Sequence, residues 1–135
     1  MRDVLFIIGS ESDEHAVKPG LMLLEEKGLS YDLKILSAHR NLEELVAFLR
    51  QEEKGYRLVI AAAGLSAALP GVIASLVGLP VIAIPLVAGP LAGVDALLSI
   101  LQLPRGVPVA TMGIGPQGVL NAVHLAERIL AVPRG

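Results

Sequence analysis

The chain contains no cysteine. That excludes a disulfide framework and a thiolate metal site. Its three histidines, His15, His39 and His124, are far apart in sequence, so a zinc centre of clustered imidazoles is not expected. Basic residues are not in excess: 11 Lys and Arg stand against 13 Asp and Glu. The net charge of -2 lacks the basic footprint that nucleic acid requires of a partner. Aromatic residues make up only 3%, so the core must be aliphatic, drawn from the 53% of apolar residues. Three site motifs are missing as well. The glycine spacing is not the dinucleotide fingerprint, and there is no phosphate-loop lysine motif. No serine nucleophile elbow of the hydrolase pattern occurs. The opening Met1-Arg2-Asp3 leads into a short apolar stretch without a signal-peptide layout. These absences point to a cytoplasmic enzyme or small-molecule-binding domain, with residues 1–135 forming one domain.

The longest absence is of charge. From Leu58 through Val94 there is no charged side chain, and after Arg57 only Asp95, Arg105, Glu127, Arg128 and Arg134 are charged. A stretch of that length could span a bilayer. Pro70, Pro80, Pro85 and Pro90 interrupt it, with Gly64, Gly71, Gly78, Gly89 and Gly93 between them. That punctuation divides it into short elements and does not suit one long helix. No membrane association is expected. So much apolar sequence in a small domain is instead hard to bury within one copy, which points to large oligomer interfaces.

The remaining pattern alternates. Val4 to Ile8 is a continuous apolar run of the kind a strand buried on both faces shows. Ser12 or Asp13 can cap a helix running to about Lys27, with Val17, Leu21, Met22 and Leu24 on its apolar side and Gly28 as its stop. Tyr31 to Leu36 predicts the second strand. Asn41 can cap the next helix, whose buried stripe is Leu42, Leu45, Val46 and Leu49. Leu58–Ala62, Val81–Ile84 and Pro108–Met112 predict three further strands. Helices are expected over Val72–Val77, Val94–Leu101 and Pro116–Leu130. Five strand-helix alternations imply a parallel sheet covered on both faces.

In such a sheet the loops after the strands converge on one edge, where ligands bind. Gly9, Ser10, Ser12 and Asp13 follow the first strand, and hydroxyls beside a helix N-terminus suit an anion. Asp13 could accept hydrogen bonds from sugar hydroxyls. Ser37-Ala38-His39-Arg40 follows the second strand. Arg40 offers a fixed positive charge to an anion. Histidine is the side chain suited to general acid–base work near neutral pH, which makes His39 the candidate proton carrier. Single residues have plainer readings: Ser12 and Asp13 can be helix caps, Gly9 and Gly64 turn glycines, and Arg40 a solvated charge. Asp95 can serve its helix start or a ligand. His15 and His124 read as surface or structural residues. Together the loops read as a phosphate-plus-ribose site with one proton-moving group.

The ordered set of loops resembles the N5-carboxyaminoimidazole ribonucleotide mutases of purine biosynthesis. The resemblance rests on Gly9-Ser10-Glu11-Ser12-Asp13, Ser37-Ala38-His39-Arg40, Ala63-Gly64 with Leu69-Pro70-Gly71, and the segment Leu91–Pro104; Gly106–Thr111 and Asn121-Ala122 continue it. It implies a flavodoxin-like three-layer α/β sandwich with a five-stranded parallel sheet, assembled as a homo-octamer. It implies a cofactor-free, metal-free transfer of a carboxylate from the exocyclic amine to ring carbon C4 of a small-molecule ribonucleotide. His39 matches the family's proton carrier. Ser10, Ser12, Asp13 and Arg40 match its phosphate and ribose contacts. Gly9, Ser37, Ala38, Ala63, Gly64, Leu69 and Pro70 complete the implied substrate site. One position departs: the mutases carry histidine where this chain has Ala68. Ser66 is similar to the related aminoimidazole ribonucleotide carboxylases, whereas Arg40 and Gln102 match the mutases.

Overall fold

A computed structural model describes residues 1–133. Five strands form one sheet: β1 (Arg2–Ile8), β2 (Tyr31–Ile35), β3 (Tyr56–Ala63), β4 (Val81–Pro85) and β5 (Ala110–Thr111). Their order is β2-β1-β3-β4-β5, and every neighbouring pair is parallel. This is the flavodoxin-like order, with its topological switch between β1 and β3. The helices are α1 (Glu14–Glu26), α2 (Leu42–Glu52), α3 (Leu69–Leu76), α4 (Val94–Leu101) and α5 (Pro116–Ala131). None among the described residues is long and apolar enough to cross a membrane.

The period-two geometry of a strand sends alternate side chains to opposite faces, and two cores follow from it. Val4, Phe6, Ile8, Leu58, Ile60, Ala62, Ile82 and Ile84 meet Val17 and Leu24 of α1 and Val119, Ala122, Val123 and Ala126 of α5. Leu5, Ile7, Val59, Ala61, Ala63, Val81 and Ala83 meet Leu45 and Leu49 of α2, Ile73 of α3, and Ala96 and Ile100 of α4. The result is three layers, with α1 and α5 on one face and α2, α3 and α4 on the other. Strands β1, β3 and β4 are covered on both faces, which is why they read as unbroken apolar runs.

Several local expectations need correction. Met22 is 55% exposed and Leu42 47% exposed, so neither belongs to its helix's buried stripe. Asn41 makes no side-chain cap on α2; its Oδ1 accepts from the Ser37 amide at 3.5 Å. Ser12 does not cap α1, and Asp13 occupies the N-cap position of α1, but its side chain makes no capping hydrogen bond. Ser10 caps instead the short 3-10 turn Glu11–Asp13 that leads into it. Helix α3 starts at Leu69 rather than Val72, because Pro70 falls in its first turn, where a missing amide hydrogen costs nothing. Strand β5 keeps only two residues. It lies at the sheet edge after Pro108, which cannot donate to a ladder.

Candidate active site

The C-terminal ends of β1, β2 and β3 open into a cleft of about 350 Å³. The register explains why they meet: Ile8 pairs with both Ile35 and Ala62, so the three strands end nearly level. Two strand-end loops are fixed by serine hydroxyls. After β1, Ser10 Oγ accepts from the Ser12 amide at 3.3 Å and lies 2.9 Å from Ser12 Oγ. After β2, Ser37 Oγ accepts from the amides of His39 and Arg40 at 3.2 and 3.1 Å. The Asn41 amide donates to the Ser37 carbonyl at 3.0 Å and closes the turn. Such side-chain turns hold the backbone where no regular ladder can. Ser37 therefore sets the orientation of its two neighbours, a task the sequence reading did not give it.

The cleft is lined by Gly9, Ser10, Ser12, Asp13, Ser37, Ala38, His39, Arg40, Ala63, Gly64 and Leu69, all of them candidates from sequence. Pro70 is the exception: it is buried in the first turn of α3 and does not line the cleft. Leu65, Ser66, Ala68 and Ala88 also line it. Ala88 comes from the loop after β4, whose approach is set by Gly64: a Cβ there would lie 2.8 Å from the Ala88 Cβ. Asp95, the other acid considered, does not line the cleft. His15 and His124 are exposed on helices, away from it.

The cleft groups differ electrostatically from the rest of the surface. Burial pushes the Asp13 carboxyl above its ordinary value, against a smaller downward pull from the Ser10 backbone amide. Among the described residues, the ion pairs are Arg2–Asp32, Lys27–Glu127 and Arg57–Asp3, and none involves Asp13, His39 or Arg40. The cleft thus presents two hydroxyls beside a helix start, a carboxylate, an exposed imidazole and an uncommitted guanidinium. The opposite wall, Gly64, Leu65, Ala68 and Ala88, is apolar except for Ser66. Chemically the arrangement can bind a phosphorylated polyol at one side and exchange a proton beside a largely apolar wall at the other.

Fold and cleft together define a flavodoxin-like α/β domain whose cleft lies at the topological switch. A family model described as AIR carboxylase matches residues 3–134. The N5-carboxyaminoimidazole ribonucleotide mutase of Brucella melitensis is 44% identical over 131 residues, covering 96% of this chain and 81% of that protein. The mutase of Pyrococcus horikoshii is 46% identical over 127 residues, covering 93% of this chain and 71% of that protein. Among solved structures, Treponema denticola PurE superposes with a TM-score of 0.84 at 33% identity, covering 95% of this chain and 79% of that one. The chain belongs to the AIR carboxylase family.

Proposed function

We propose that this single domain is an N5-carboxyaminoimidazole ribonucleotide mutase, moving a carboxylate from the exocyclic amine of the ribonucleotide to ring carbon C4 in purine biosynthesis. The observation that carries the reading is the convergence of Ser10, Ser12 and Asp13 with Ser37–Arg40 in one cleft, in a chain 41–46% identical to the curated mutases of its family.

Each residue then has a task. The Ser10 and Ser12 hydroxyls and the Arg40 guanidinium take the 5′-phosphate. Asp13 takes the ribose hydroxyls. His39 carries the proton. The carbamate N–C bond breaks, its electron pair stays on nitrogen, and the imidazolium supplies the proton that nitrogen needs. C4 then attacks the released carbon dioxide, a C–C bond forms, and the neutral imidazole removes the C4 proton. One histidine thus ends the cycle as it began. His39 suits this because its backbone is pinned by Ser37 while its side chain is exposed to the cleft. Gly9, with open space where a Cβ would stand, lets the flat ring lie close to the backbone, and Ala38, Ala63, Gly64 and Leu69 line the same cleft.

The same reading makes the enzyme a cytoplasmic homo-octamer; a chain without cysteine needs no oxidising compartment for its fold. Assembly is supported by the apolar stripe Val94, Leu98 and Leu101, each at least 48% exposed and spaced as one face of α4. Purified protein given N5-carboxyaminoimidazole ribonucleotide without added bicarbonate tests the activity. Formation of the C4-carboxylated isomer is expected. Turnover solely from aminoimidazole ribonucleotide plus carbon dioxide would replace the mutase with a carboxylase. Sedimentation equilibrium tests the octamer.

A further inference from the structure

One wall residue is conformationally out of the ordinary. Leu65 has φ +56°, in the left-handed region that side chains other than glycine rarely adopt. It lines the cleft, yet it is 53% exposed, so burial does not hold it there. What braces it is the loop after β4. Gly89, itself at φ +74°, lies directly under it: a Cβ on Gly89 would stand 2.8 Å from Leu65 Cδ2. One residue earlier, Gly64 is packed against Ala88 in the same way. Two glycines thus let two strand-end loops interlock and hold an exposed leucine over the mouth of the cleft. Backbone strain of this sort persists where surrounding structure imposes it, and it concentrates at ligand clamps.

We infer that Leu65 is a positioning residue for the carbon dioxide released midway through the reaction, closing the apolar side of the cleft above it. The inference rests on the mutase reading given above. Once the N–C bond has broken, the fragment is neutral and small and has no charge by which Asp13, His39 or Arg40 could hold it. Retention then depends on walls that exclude water and block exit. Leu65, Ala68 and Ala88 are the apolar side chains facing that space from the loops after β3 and β4. With alanine at 68, no imidazole shares this wall, and the leucine is its bulkiest side chain. If the fragment escapes, the nitrogen keeps its proton and the product is aminoimidazole ribonucleotide plus free carbon dioxide. The quantity Leu65 sets is therefore the partition between isomerised and decarboxylated product.

The test is product partition from N5-carboxyaminoimidazole ribonucleotide, corrected for its uncatalysed breakdown, in the wild-type protein, Leu65→Gly, Leu65→Met and Gly89→Ala. Glycine is at ease at φ +56°, so Leu65→Gly keeps the fold while opening the wall. Its ratio of decarboxylated to isomerised product should rise roughly tenfold, the change that loss of one apolar contact brings. Gly89→Ala, which displaces Leu65, should shift the ratio the same way, and Leu65→Met should restore it. With labelled bicarbonate present, Leu65→Gly should also incorporate label into the C4 carboxylate more than the wild type does. An unchanged ratio in Leu65→Gly, or a parallel fall of both products, would overturn the role of Leu65 and leave the mutase reading standing. A wild-type protein that forms no isomer at all would overturn both.

Discussion

Replacing Gly118 with alanine should unfold this protein more effectively than any comparably small change elsewhere in its helices. Gly118 is the third residue of α5 and is buried. A Cβ there would overlap the carbonyl oxygen of Gly113 and stand 2.8 Å from its carbonyl carbon. The obstacle is backbone, so no rotamer change relieves it. The loop Gly113–Gly115 would have to move, and it is tied down: the Gly115 amide donates to the Pro85 carbonyl at 2.9 Å, and the Val119 amide to the Gly115 carbonyl at 3.2 Å. Losing each such bond costs about 1 kcal/mol, and overpacking adds about 1–3 kcal/mol. Against this, alanine gains at most about 1 kcal/mol of helix propensity over glycine. The net loss should be about 3 kcal/mol. Gly20→Ala is the matched control. Its Cβ would lie 2.8 Å from Val119 Cγ1, a side-chain methyl that a small helix shift can clear, so its net loss should be nearer 1 kcal/mol. The chain has no tryptophan, so unfolding is best followed by far-ultraviolet circular dichroism in urea at one fixed protein concentration. With m about 1–3 kcal/mol/M, the Gly118→Ala midpoint should fall by about 1 M or more. A Gly118→Ala midpoint equal to or above that of Gly20→Ala would refute the reasoning.

Other expectations concern the site and its electrostatics. His39→Asn should lower kcat by about 10²–10⁴-fold while leaving the ribonucleotide dissociation constant close to wild type; calorimetry and turnover together check it, and an active variant would remove His39 as proton carrier. Burial raises the Asp13 pKa, so folding favours its protonated form, and that contribution is lost as pH rises through the folded value. Asp13→Asn should therefore raise the melting temperature at neutral pH while weakening substrate binding; a destabilised variant contradicts the sign. Tyr56 is pushed up to about 12 by burial and by its 2.6 Å hydrogen bond to Asp32 Oδ2. Its contribution is complete below pH 10 and disappears between pH 10 and 12, so Tyr56→Phe should flatten the alkaline limb of the stability profile. Introducing Ala68→His should change the rate if the missing imidazole limits turnover; an unchanged rate would show that the wall works without it.

Most of the fold was legible in the sequence, because strands covered on both faces and helices with one apolar face leave different periods. The missed caps share a cause, which is that capping depends on geometry more than on residue type. Asn41, Ser12 and Asp13 are all good caps by composition, yet Ser10 and Ser37 make the bonds that fix the two loops. Met22 and Leu42 fell outside their helices' buried stripes because a helix of 100° per residue leaves its neighbouring apolar positions at the rim. The cleft-lining residues of the first two loops were legible because glycine, serine and charge at strand ends are uncommon in an otherwise aliphatic chain. Leu65 and Ala88 were not. They belong to an apolar wall, and nothing in their side chains separates them from core residues. The one available signal was the glycine partner of each, Gly89 and Gly64, and its meaning depends on which loops become neighbours.

The distribution of charge separates the two ends of the sheet. Where the strands begin, Arg2 pairs with Asp32 at 3.1 Å and Arg57 with Asp3 at 3.3 Å. Burial pushes Asp3 up, but hydrogen bonds from Ser30 and Arg57 outweigh it and hold the carboxyl below its usual value. Lys27, just after α1, meets Glu127 near the end of α5 at the same end of the molecule. These charges serve the fold. Where the strands end, Asp13 is driven in the opposite direction by burial, and no described ion pair takes up Asp13, His39 or Arg40. A partly desolvated carboxylate without a cation lowers stability, and folding tolerates it because the aliphatic core supplies the surplus. On the proposed function, a phosphorylated ribonucleotide would complete that edge, with its phosphate at Arg40 and its sugar hydroxyls at Asp13. Substrate should thus raise the melting temperature by linkage, and the rise should shrink in Arg40→Ala, whose guanidinium contributes nothing to the apo fold that the described contacts record.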